Sequence, residues 1–124
     1  MEKIEEELLL EMAEIGRFDG YRIMVYGKEG PIPHFHIEYK EKEISCCVKI
    51  LGAEYFQHGI HKDRLDKNAK KQLCEFLKSP HKIFGKHGYS NWNMICVYWN
   101  DSNTDYIIEE DLEKLKMPDY NRYL

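Results

Sequence analysis

Pro31-Ile32-Pro33-His34-Phe35-His36-Ile37-Glu38-Tyr39 is the stretch from which the fold is read. Phe35, Ile37 and Tyr39 alternate with His34, His36 and Glu38, and a period of two is the signature of a strand, whose successive side chains point to opposite faces. Pro33 stands just before the first strand residue, where its missing N–H does little harm. The aromatic and aliphatic side is the natural core side. His34, His36 and Glu38 are therefore expected together on the opposite face, with the imidazoles at least partly open to solvent.

Neighbouring segments extend this strand into a sheet. Tyr21–Tyr26 is rich in β-formers and reads as a strand, and residues 27–33 have the Gly and Pro content of a turn. A short turn at Glu41–Lys42 leads into a strand over residues 44–50. Its Ile44, Cys46, Val48 and Ile50 share one face; Ser45, Cys47 and Lys49 share the other. Residues 55–58 suggest a short further strand. Upstream, Ile4, Leu8, Met12 and Ile15 fall at helical spacing, so residues 2–15 are expected to form an amphipathic helix that Gly16 ends.

Helices are expected downstream. Asp66 suits the N-cap of a helix reaching Lys78, with Leu65, Ala69, Leu73, Phe76 and Leu77 as its apolar stripe and Ser79-Pro80 as its stop. Residues 80–90 read as a loop. After Ser90, Trp92, Ile95, Cys96 and Trp99 follow the i, i+3, i+4, i+7 pattern of a helix, although the β-branched and aromatic content leaves a strand open. Residues 104–108 suggest an edge strand. The whole is a two-layer α+β domain: an antiparallel sheet of three to five strands with two or three helices packed on one face. The other face is expected to stay free for a ligand, a partner or solvent.

Composition narrows the class. A chain of 124 residues with 43% hydrophobic and 32% charged residues is expected to form one folded domain. No apolar run approaches the ~20 residues of a membrane span. Six acids and one base among residues 1–14 do not suit a secretion signal, so a cytoplasmic location is expected. Four cysteines without a C-x-x-C pair read as reduced, buried small hydrophobes. The net charge of −4 conceals a basic middle, with eight bases against three acids over residues 58–88. Internal charge balance explains that pattern better than a nucleic-acid partner.

The row His34, His36, Glu38 is where chemistry is expected. Residues two apart on a strand lie roughly 7 Å apart on one face. Two imidazoles and a carboxylate there can do acid–base work, with Glu38 as base. They also supply nitrogen and oxygen donors for zinc, manganese or iron. His58 and His61 follow the sheet, and His34, His36 and His58 form the candidate metal set. His34, His36 and Glu38 form the candidate catalytic set.

Residues 31–39 resemble the Pro-His-Phe-His signature of a bacterial family of small domains of unknown function, the DUF family numbered 4160. In that family the signature is followed by a second strand, a Gly-containing turn, a helix and often Asn-Trp. Here those features resemble residues 44–50, Phe56-Gln57-His58-Gly59, residues 65–78 and Asn91-Trp92, so the resemblance spans roughly residues 20–103. It implies a small bacterial or mobile-element protein, often encoded beside a second small gene, in a toxin–antitoxin-like pair; it supplies no catalytic residues. Residues 2–15, the loop 80–90 and the acidic extension 104–124 depart from the family pattern.

Two functions are thus expected to compete. One is a protein-binding component of a two-gene regulatory or defence system, with a small protein partner and a homodimer formed through the N-terminal helix. The other is a histidine-dependent, metal-assisted hydrolase or nuclease acting on a phosphodiester.

Overall fold

A computed structural model of the chain describes residues 12–124. The sheet consists of β1 (Met12–Phe18), β2 (Tyr21–Tyr26), β3 (His34–Tyr39) and β4 (Ile44–Lys49), each antiparallel to the next in the order β1-β2-β3-β4. Two helices follow, α1 (Lys67–Lys78) and α2 (Asn91–Ser102), and a single helical turn, Tyr120–Tyr123, closes the chain. The α+β architecture is the expected one. Among the described residues, no helix is long and apolar enough to cross a membrane.

The start of the sheet departs from the sequence reading. Met12–Phe18 is a strand and not the end of a helix, and residues 1–11 of the expected helix lie outside the described residues. Ile4 and Leu8, half of the expected dimer stripe, lie outside it too, and Ile15 is fully buried in this chain's own core. Asp19-Gly20 explains the strand. Both residues have positive φ, 45° and 87°, as a two-residue hairpin turn with the twist of its flanking strands requires. Gly16 does not end a helix; it lies where the β1–β2 register shifts. A Cβ at Gly16 would stand 2.8 Å from the Phe76 ring, so glycine there lets α1 approach the strand.

Helix α1 begins and ends as its sequence indicates. The Asp66 carboxylate accepts the Ala69 N–H at 2.8 Å, capping the first turn. Ala69, Leu73 and Leu77 bury the stripe. Ser90 and Asn93 form a reciprocal capping box on α2, and this decides the helix over the alternative strand. Trp92, Ile95, Cys96 and Trp99 of α2 join Ile23, Val25, Phe35, Ile37, Cys46 and Val48 of the sheet in one core.

The C-terminal segment contributes more than expected. Residues 104–108 form no strand; Asn100 holds Ile108 through both backbone groups, and Trp99 Nε1 donates to the Tyr106 carbonyl at 2.8 Å. Tyr120 is fully buried. It accepts a hydrogen bond from Trp92 Nε1 and donates one to the Ile50 carbonyl, which ties the end of the chain to α2 and to the end of β4.

Candidate metal centre

The face of β3 opposite Phe35 carries His34 and His36, as alternation requires, but it is not open. His34 is 1% exposed and His36 2%, which overturns the expected solvent access and the free sheet face at this point. The connection between β4 and α1 covers them. It does not form the expected strand at 55–58; isolated bridges from Val48 to Tyr55 and from Cys46 to Lys62 lay it along β4 instead. His58 and His61 close a tight turn, with the His61 N–H donating to the His58 carbonyl.

Three sequence candidates meet here. His34, His36 and His58 converge with Cys47, and one donor atom from each lies within 4.8 Å of the others. Cys47 stands opposite His36 on β4 and projects to the histidine face, whereas Cys46 projects into the core. Its Sγ lies 3.2 Å from His36 Nδ1 and 3.3 Å from His58 Nε2. A tetrahedral zinc ion with bonds of about 2.0–2.3 Å needs donors roughly 3.3–3.6 Å apart. This buried group can hold a metal ion.

The outer hydrogen bonds point lone pairs inward. His34 Nδ1 lies 2.7 Å from the Ile32 carbonyl oxygen, which only accepts, so Nδ1 carries the proton and Nε2 the lone pair. That Nε2 is buried without a hydrogen-bond partner. His36 Nε2 donates to the Glu29 carboxylate at 2.6 Å, which leaves Nδ1 free toward Cys47. Metal-ligating histidines carry such carbonyl and carboxylate partners on their second nitrogen. Burial, then the neighbouring His34, pushes the His58 pKa down and favours its neutral, ligating form.

Glu29 complements the charge. Its carboxylate accepts from His36 Nε2 at 2.6 Å and lies 3.7 Å from His34 Nε2. Burial, then the Glu29 charge, pushes the Cys47 thiol up, so the thiolate needs a nearby cation. Asn103, at the end of α2, fixes Glu29 in place: its Oδ1 accepts the Glu29 N–H at 2.9 Å and its Nδ2 donates to the Tyr26 carbonyl at 3.0 Å.

Glu38 stands apart from this group. Its carboxylate accepts from the Tyr26 hydroxyl at 2.6 Å and lies 3.7 Å from Arg22. His61 is adjacent, with its ring centroid 4.7 Å from that of His36, but its Nδ1 is bonded to Ser45 Oγ at 2.6 Å. Cys47 and Glu29 are the members sequence reasoning missed. Cys47 is legible only once β3 and β4 are paired in register. Glu29 sits in the Gly- and Pro-rich turn, which carries no period to place it.

The chain matches no family model, no curated protein and no solved structure in the comparisons made.

Proposed function

We propose that this protein is a zinc protein whose centre is formed by His34 Nε2, His36 Nδ1, Cys47 Sγ and His58 Nε2. The observation that carries this reading is the buried His34 Nε2, which makes no hydrogen bond and faces three other donors, with the Glu29 carboxylate 3.7 Å away. A thiolate with imidazoles suits zinc, while manganese prefers oxygen donors. Zn²⁺, the Cys47 thiolate and the Glu29 carboxylate sum to zero, which lowers the cost of burying each charge.

Four protein donors complete a tetrahedron, the pattern of a structural site. Three of them come from the sheet and one from the β4–α1 connection. The ion therefore acts as a clamp that holds residues 53–65 across β4 and presents the tip residue Ile60, which is 83% exposed. The resemblance to the Pro-His-Phe-His family favours a protein partner over a substrate, and the clamped tip is a surface such a partner would meet. The hydrolase reading is less favoured, because the four donors leave no position for a reacting water and Glu38 is engaged elsewhere.

Cobalt substitution tests the centre. Co²⁺ in a His₃Cys tetrahedron gives visible ligand-field bands and a near-ultraviolet thiolate band, and Cys47→Ser abolishes the latter. A featureless spectrum with folded protein would refute the proposal.

A further inference from the structure

The loop between the two helices carries a second surface, separate from the metal centre. From residue 76 to residue 100 the chain contains no carboxylate side chain, although the net charge is −4. Lys78, Lys82 and Lys86 lie in this stretch and are exposed. None of them joins an ion pair among the described residues. The same loop exposes Ile83 (54%), Phe84 (37%) and Tyr89 (39%). Apolar and aromatic side chains interleaved with lysines in an acid-free stretch of chain call for a ligand that is both anionic and flat.

The loop is also rigid. His81 is 3% exposed, and its Nδ1 accepts the N–H groups of Ile83 and Phe84 at 3.2 Å each. The His81 N–H donates to the Tyr89 carbonyl, and a bridge pairs Pro80 with Ser90. Gly85 packs against Pro80 so closely that a Cβ would meet it at 2.6 Å. The Phe84 ring stacks on the His81 ring, centroids 5.6 Å apart and 21° from parallel, which covers one face and fixes the ring. The Tyr89 N–H donates to the Phe84 carbonyl, which brings the second aromatic residue beside the first.

We propose that this loop is a binding platform for single-stranded nucleic acid, with Phe84 and Tyr89 as stacking surfaces for bases and Lys82 and Lys86 as phosphate contacts. A preset ring with one face covered loses little freedom when a base stacks on its other side. An acidic peptide would satisfy the lysines but leave the rings unused. The platform does not depend on the metal, since its residues share no contact with the ligands.

Fluorescence anisotropy with labelled oligouridine and oligothymidine of about 12 nucleotides, within the usual site size, tests this on the full chain. Saturable binding is expected. Phe84→Ala should weaken it roughly tenfold, while Phe84→Trp retains it. Replacing Lys82 or Lys86 by Gln should reduce the slope of log affinity against log salt by about 0.7 each, the increment per phosphate of a single strand. All three positions are exposed enough for the variants to fold, and unchanged thermal melting checks this. Absence of saturable binding at low salt would overturn the proposal. So would binding indifferent to Phe84→Ala, or equal affinity for polyglutamate, which would mark an acidic-peptide site.

Discussion

Cys47 Sγ lies 3.2 Å from His36 Nδ1, directly across the β3–β4 ladder. Neither residue places the other there by local chemistry. The pairing of the two strands does so, and the outer bond from His36 to Glu29 turns the imidazole so that its lone pair meets the sulfur.

That outer bond is open to direct test. Glu29→Ala should lower zinc affinity about 10–100-fold, as loss of such partners does, and should also lower the apo melting temperature, because the buried His36 N–H loses its acceptor. Competition with a chromogenic chelator measures the affinity. Unchanged affinity would show that Glu29 has no part in holding the ligand.

Metal removal should loosen one segment and leave the sheet in place. Lys62 and Arg64 are exposed on the connection that His58 anchors, so trypsin should cut there faster after chelation than with zinc present. At free zinc of about 100 times Kd, binding should add about 2.7 kcal/mol of stability, a shift in Tm on the order of 10 °C. If zinc binds without protecting these sites, the clamp is wrong and the centre stands.

Asn103 should matter more than a residue at the end of a helix usually does. It is buried and serves Glu29, Tyr26 and Trp99 at once. Asn103→Ala removes the side-chain bonds to the Glu29 N–H and the Tyr26 carbonyl, while the Trp99 carbonyl keeps the residue 103 N–H, and should cost about 2–4 kcal/mol by urea unfolding. A loss below about 0.5 kcal/mol would mean that water replaces both bonds.

Leu73 tests the core. It is fully buried in the cluster that joins α1 to the sheet, so Leu73→Ala should cost about 2–5 kcal/mol. A melting curve matching the wild type would place α1 in another register.

The cysteines should react in a fixed order. Burial pushes the thiols of Cys46 and Cys96 up to about 12, so raising the pH to about 9 leaves them protonated and inert. Half-buried Cys74 should be alkylated first in the native protein, and Cys47 should be shielded while metal is bound. Mass spectrometry after timed alkylation checks the order. Denatured without reductant, the protein should titrate four thiols.

The sequence alone determined what local periodicity and local chemistry control. Alternation over residues 34–39 and 44–49 decided which side chains share a face, and Asp66 with Ser79-Pro80 decided the ends of α1. The histidine part of the centre was legible for the same reason. Over residues 12–18 the spacing of Met12 and Ile15 fits a helical stripe, but the Asp19-Gly20 hairpin beside them makes the segment a strand.

Only the tertiary structure decided the rest. Burial of His34 and His36 comes from a connection that folds back over β4, which no period in residues 50–66 announces. Cys47 and Glu29 enter the centre through strand register and through the Asn103 bonds, contacts that span 11 and 74 residues. Such pairings depend on how whole elements pack. A local pattern fixes the direction of a side chain, but the distance between two side chains remote in the chain is set by the fold that buries them.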